Sequence, residues 1–213
     1  MGRHFLIIAA VALALAGPAA AQPPAPPADA AACEFHVWPG DGLMSTYYGW
    51  FHGSIVNGQI MGRPGYPAVP PNPIDTARQG EILAAAEPQK LFRQDGYRLV
   101  VHEEALPSRT IRTATGRLSD SSAPCYAELI VDDVVLQQDF VNGALLKTLF
   151  RYRNFGAGAA PERSFTTWAE TDLGGFPPRE PGQLDAAIRE IRSAFRNNIA
   201  RFAASARARP RRR

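Results

Sequence analysis

Residues 126–155 read YAELIVDDVVLQQDFVNGALLKTLFRYRNF. Val, Ile, Leu, Tyr and Phe dominate this stretch, no Pro interrupts it, and Asn142-Gly143 lies near its middle. Asn-Gly best accepts positive φ at both positions of a two-residue hairpin turn. The stretch therefore predicts a long antiparallel hairpin, with strands over residues 126–140 and 145–155. With the turn on those two residues, Asp132 falls opposite Arg153 as an opposite-charge pair. Lys147, Arg151 and Arg153 share one face of the return strand, which either extends a basic surface or is neutralised by Asp132 and nearby acids.

Downstream, residues 164–171 predict a further strand and residues 174–181 a Gly/Pro loop. Residues 182–206 give the clearest helix, because Leu184, Ile188, Ile191, Phe195, Ile199 and Phe202 recur at steps of four and three as one apolar stripe. Asp185 and Arg189 form an i,i+4 pair on its outside, and Pro181 stands where a helix starts at no hydrogen-bond cost. Upstream, residues 34–38 and 97–103 suit strands, and residues 74–86 suit a helix capped by Asp75 or Thr76 with Ala77, Ile82, Leu83 and Ala86 on its buried face. Pro88 ends or kinks that helix. Asn57-Gly58 suggests a second hairpin within residues 52–61, and the five prolines of residues 62–73 suggest an irregular loop. The expected fold class is α+β: a mostly antiparallel sheet with a long hairpin, one internal helix and the C-terminal amphipathic helix packed on it.

The N-terminus places this domain. Arg3 and His4 precede an apolar run over residues 5–16, Pro18 closes it, and Ala19-Ala20-Ala21 fits a signal-peptidase site. The run is shorter than the ~20 residues of a membrane span. Residues 1–21 are thus expected to be a cleaved signal peptide and the mature chain to be periplasmic or secreted, without a transmembrane segment. Residues 22–32 (QPPAPPADAAA) read as a Pro/Ala-rich disordered spacer, residues 33–206 as one domain, and residues 207–213 as a disordered Arg-rich tail. In outline such a chain is similar to envelope accessory proteins of Gram-negative bacteria.

The formal charge of +3 conceals an asymmetry, because Arg207, Arg209, Arg211, Arg212 and Arg213 crowd the last seven residues. Setting these and Arg3 aside leaves 17 basic against 20 acidic side chains, so the folded body is mildly acidic. Outside the cytoplasm such a tail suits an anionic envelope surface or an acidic envelope protein, and nucleic acid is not an expected partner. The two cysteines, Cys33 and Cys125, predict one disulfide in an oxidising compartment, worth ~4 kcal/mol by loop entropy. Lipid attachment at Cys33 is the weaker reading, since Ala30 stands where a lipoprotein site wants a Leu-like residue.

Motifs for catalysis are weak. His36, His52 and His102 are three imidazoles at a spacing that matches no ligand motif, so no metal or cofactor is expected. His52, Asp41 and Ser54 share one Gly/aromatic region without a nucleophile-elbow setting. The pairs Glu103-Glu104 and Asp132-Asp133 point to opposite faces if extended. The aromatic stretch of residues 44–51 (MSTYYGWF) suits a recognition loop through Tyr47, Tyr48, Trp50 and Phe51. These features favour a non-enzymatic periplasmic accessory or adaptor protein contacting another envelope component. The alternatives are a small-ligand-binding domain and, more weakly, a small hydrolase using His52 with Asp41 or Glu103.

Overall fold

A computed structural model of the chain describes residues 32–48, 54–57, 66–139 and 143–208, with backbone only for residues 54–57. The fold is mixed α+β. Its elements are β1 (Glu34–Trp38), β2 (Leu43–Tyr48), β3 (Ser54–Asn57), α1 (Thr76–Ala86), α2 (Pro88–Leu91), β4 (Arg98–Val101), α3 (Ser108–Thr113), β5 (Tyr126–Asp139), β6 (Gly143–Gly156), β7 (Arg163–Leu173) and α4 (Leu184–Ala208), with a 3-10 turn at Pro181–Gln183 before α4.

The hairpin β5–β6 forms the middle of one seven-stranded sheet, and β7 continues it antiparallel beyond β6. On the other side of β5 lie two strands end to end, both parallel to it: β1 along its first half and β2 along its second. β4 pairs parallel with β1, and β3 pairs antiparallel with β2. Antiparallel pairing still dominates, since β5–β6 and β6–β7 run over 13 and 11 paired positions and each parallel ladder over only four to six.

The register departs from the expected one. Asp139 pairs with Gly143, whose φ is 84°, so the turn does not fall on Asn142-Gly143 as a two-residue loop. A β-bulge at Asp132 then shifts the ladder by a further residue, between Val131↔Phe150 and Asp133↔Leu149. Arg153 consequently stands opposite Glu128, and Asp132 pairs instead with Arg151, Nε to Oδ2 at 2.7 Å. Of the two readings of the basic face, neutralisation holds, with these changed partners: Lys147 with Glu170, Arg151 with Asp132 and Arg153 with Glu128.

The break between β1 and β2 is residues 39–42, Pro-Gly-Asp-Gly. Gly42 has φ 121°, and a Cβ on Gly40 would sit 3.1 Å from Val131 Cγ1. The Gly40 N–H, released from the ladder, donates to Gln79 Oε1 of α1 at 2.8 Å, and Gln79 Nε2 donates to the Ile74 carbonyl. Thr76 Oγ1 donates to the Gly40 carbonyl at 3.0 Å. Gln79 is therefore fully buried on the face where the periodicity placed Ala77, which is exposed. Asp75 is the N-cap, accepting from the Arg78 N–H, and Pro88 opens α2.

One face of the sheet carries the main core, where Phe35, Val37, Leu129, Val131, Phe150 and Tyr152 meet Ile82 and Leu83 of α1 and the stripe of α4. That stripe is Ile191, Phe195, Ile199 and Phe202, while Leu184 is exposed and Ile188 half-buried. Asn198 interrupts it and is fully buried. Its Nδ2 donates to the Leu146 carbonyl and Thr148 Oγ1, and its Oδ1 accepts from Thr171 Oγ1 at 2.7 Å, which seats α4 across β6 and β7. The opposite face carries a smaller core of Trp38, Ile111, Tyr126, Ile130 and Phe155, covered by α3 and the following loop. Helix α3 thus supplies a short helical cap to this second core.

The Gln79 amide gives a direct test. Gln79→Ala strands the buried Gly40 N–H, and the expected loss is ~1–3 kcal/mol by chemical denaturation. A change below ~0.5 kcal/mol, the usual range for surface sites, would show that the break between β1 and β2 does not rely on this contact.

Candidate functional site

β1 turns Glu34, His36 and Trp38 to the small-core face, because alternate side chains share a face. Parallel pairing sets Arg98 and Tyr126 beside Glu34, and Glu128 beside His36. The next ladder row brings Ile130 beside Trp38. His102 follows β4 directly, and its N–H donates to the Val37 carbonyl. These pairings gather two histidines 66 residues apart: His36 Nδ1 lies 2.8 Å from His102 Nε2. His36 Nε2 lies 2.8 Å from Glu34 Oε2, and the His102 ring stacks on Trp38 at 4.0 Å with 6° between planes.

The acceptor-only carboxylate assigns the protons. Glu34 requires the hydrogen of His36 on Nε2, so His36 Nδ1 accepts and His102 Nε2 donates. His102 Nδ1 keeps its lone pair, and the residue lines a shallow recess with Trp38, Glu103, Leu106 and Pro107. The chain takes up one proton, at His102 Nδ1, without losing a hydrogen bond. A second, on His36 Nδ1, would oppose two N–H groups.

Glu34 is the hub. Ser121 Oγ donates to its Oε2 at 2.5 Å, and Arg98 pairs with its Oε1. The Ser121 hydroxyl first, then His36 and Arg98, hold this carboxyl down at about 2 against the opposing effect of burial. Burial lowers His36, with Glu34 pulling the other way. Burial, reinforced by His36, lowers His102 to about 4. Next along the sheet, Glu128 is fully buried and accepts from Tyr126 OH at 2.9 Å, from the Leu118 N–H and from Arg153. Burial pushes its carboxyl up, and Arg153 with these donors pulls it back. Arg153 Nη1 donates to the Ala114 carbonyl, and the Arg117 guanidinium lies 5.0 Å over the Tyr126 ring while donating to the Ser121 and Ala123 carbonyls. Apart from His102 Nδ1, the imidazoles and carboxylates of the cluster are bonded to one another or to the loop of residues 114–123, which they clamp onto the sheet.

The disulfide joins this cluster. Cys33 and Cys125 are bonded with Cα atoms 4.6 Å apart, within the usual range. Each immediately precedes a hub strand: Glu34 N–H donates to the Cys125 carbonyl and Arg98 N–H to the Cys33 carbonyl.

Of the aromatic residues read as a recognition loop, Tyr47 and Tyr48 lie in strand β2. Tyr47 is fully buried, with Tyr66 edge-on at 5.0 Å, and Tyr48 is half-buried. Enclosure removes Tyr47 from any contact surface, because its side chain fills the core. Trp50 and Phe51 lie outside the described residues, as do His52, Arg209, Arg211, Arg212 and Arg213. Arg207 belongs to the last turn of α4 and donates to the Leu91 carbonyl. Asp41 is exposed at the break between β1 and β2, and Glu103 and Glu104 are exposed beside His102. The His36–His102 contact was beyond sequence reasoning, whose only signal was a histidine in each of two short apolar runs.

No family model matches the chain, and no curated protein matches it. Among solved structures, it is similar to the hypothetical protein CT253 from Chlamydia trachomatis, at 14% identity over 82% of this chain and 99% of that one, with a TM-score of 0.37. Protein XCC0632 from Xanthomonas campestris, described as DUF330, shows 8% identity over 84% and 85% of the two chains, TM-score 0.36. Lipoprotein GNA1162 from Neisseria meningitidis shows 8% identity over 75% and 94%, TM-score 0.31. At these identities and scores none of them assigns an activity to this chain. Among the described residues no helix is long and apolar enough to cross a membrane.

The cluster predicts a pH dependence. Both histidines are lowered in the folded state, so they contribute stability above the unfolded value near 6.5 that is lost as pH falls below it, for His102 through about 4. Glu34 adds a loss at more acid pH, from its ordinary 4.5 towards about 2. Denaturation at pH 7 and pH 4.5 is expected to differ by on the order of 1–2 kcal/mol from His102, the full shift being cut by solvent at its half-buried ring. His102→Phe keeps the stack on Trp38 and should flatten this slope. An unchanged slope would remove His102 as its origin.

Proposed function

We propose that the chain is an exported, non-enzymatic accessory protein, acting in the periplasm or outside the cell by contacting another envelope component. The Cys33–Cys125 crosslink carries this reading, because a structural disulfide belongs to an oxidising compartment. The signal-like residues 1–21 point the same way. The imidazoles and carboxylates that catalysis would draw on, His36, His102, Glu34 and Glu128, are bound to each other and to the clamped loop.

The contact surface we propose centres on Trp168, 41% exposed on β7. Lys147 lies 5.7 Å over its ring and pairs with Glu170, giving an aromatic anchor with a charged rim. The Arg-rich residues 207–213 supply a second, salt-sensitive attraction to an anionic envelope surface or an acidic envelope protein. Tyr48, Trp50 and Phe51 remain part of the proposed surface.

In-cell crosslinking of the tagged protein, with identification of what is captured, tests this reading. One reproducible envelope partner is expected, lost on Trp168→Ala and weakened at low salt by deleting residues 207–213. Recovery of the protein alone, or capture indifferent to both changes, would contradict it.

A further inference from the structure

A second site lies at the far end of the sheet from the histidine cluster, where the β5–β6 hairpin turns. A cavity of about 270 Å³ opens there, with Tyr66, Phe176 and Pro177 as apolar walls and Gln138, Asp139 and Arg179 as its polar groups. Gln138 sits on β5 between Tyr47 and Ala144 and is only 3% exposed. Its Nε2 amide finds no acceptor among the described residues. A buried donor left in that state costs ~1–3 kcal/mol, and native proteins rarely keep one without a use. Arg179 is exposed, its backbone N–H donates to Gln183 Oε1, and its guanidinium makes no hydrogen bond or ion pair with the described residues. The Tyr66 hydroxyl is spent on the Tyr48 carbonyl, so the ring alone is presented.

We propose that this cavity binds a small monocarboxylate with an apolar body. One carboxylate oxygen accepts from Gln138 Nε2, and the Arg179 guanidinium, a planar fork matched to carboxylates, pairs with the other. The apolar body lies against Tyr66, Phe176 and Pro177. The cavity supplies one guanidinium and one neutral amide donor, a set matched to a single carboxylate rather than to a dianion such as phosphate. The volume is just under the ~300–1,000 Å³ of drug-sized sites, so the ligand is a small acid or the carboxyl end of a peptide. This inference is independent of the adaptor reading.

Calorimetric titration with 3-phenylpropionate, N-acetylphenylalanine, 3-phenylpropionamide and inorganic phosphate tests it. At least one of the two acids is expected to bind in the millimolar range or tighter, and the amide and phosphate about tenfold more weakly or not at all. Arg179→Ala, at an exposed position, should cost about tenfold in affinity with the fold intact. Gln138→Leu should abolish binding while thermal stability holds or rises, since an orphaned donor is replaced by an apolar side chain. Tighter binding of N-acetylphenylalanine would support a peptide carboxyl end, and tighter binding of 3-phenylpropionate a free organic acid. No binding of either acid at about 10 mM, phosphate binding as tightly as the acids, or affinity unchanged in both variants would overturn the proposal.

Discussion

Everything in this fold depends on how three neighbouring strands cover the same distance with different numbers of residues. From the row Trp38–Ile130–Arg151 to the row Leu43–Val134–Thr148 is five residue steps through the β1–β2 break, four along β5 and three along β6. A one-residue mismatch reverses which face a side chain meets. The bulge at Asp132 absorbs that reversal on β5, so that Leu129 and Val131 before it and Val134 and Leu136 after it all reach the main core. The Pro-Gly-Asp-Gly break lengthens the outer strand's path without reversing its alternation, since Phe35 and Val37 before it and Leu43 after it all reach the main core. Its displaced backbone is bonded by Gln79 and Thr76 from α1, which ties the helix position to the bend.

The two polar regions of the molecule sit on either side of that bend. Before it, β1, β4 and the first half of β5 are short, parallel and linked at their start by Cys33–Cys125. Short parallel strands are weakly held by their ladders alone, and here Glu34, besides bonding His36 of its own strand, ties in β4 through Arg98 and the loop of residues 114–123 through Ser121. After it, β2 and the second half of β5 carry Tyr47 and Gln138 side by side, and Gln138 reaches the cavity near the hairpin turn. The clamp spends its polar groups internally apart from His102 Nδ1, whereas the cavity leaves a buried amide donor unspent.

Much of the scaffold was legible. Uninterrupted β-branched and aromatic runs marked β5 and β6, the period of α4 marked its buried stripe, and parity of cysteines marked the disulfide. The pairing of Asp132 with Arg153 failed because Asp139 pairs with Gly143, which moves the register before any bulge, and because the bulge that shifts it further leaves no mark in apolar alternation: Asp132-Asp133 looks like an ordinary polar interval in a buried strand. Gln79 and Asn198 were passed over on helices because a buried amide looks, in sequence, like a solvent-facing one. The histidine pair was illegible for a topological reason, since β1 and β4 are joined through intervening strands and helices and only their parallel register brings His36 to His102. Ala77 and Leu184 mark the opposite error, apolar residues on the expected stripe that the helix leaves exposed.

The bulged register is tested most directly by double-mutant cycles on the charged rungs it creates, measured by chemical denaturation. Asp132→Asn with Arg151→Gln, and Glu128→Gln with Arg153→Gln, are expected to show coupling within the ~0.5–3 kcal/mol range of contacting pairs, while Asp132→Asn with Arg153→Gln stays additive within about 0.5 kcal/mol. Coupling between Asp132 and Arg153, with none between Asp132 and Arg151, would restore the two-residue turn and contradict the stepped sheet on which both polar regions rest.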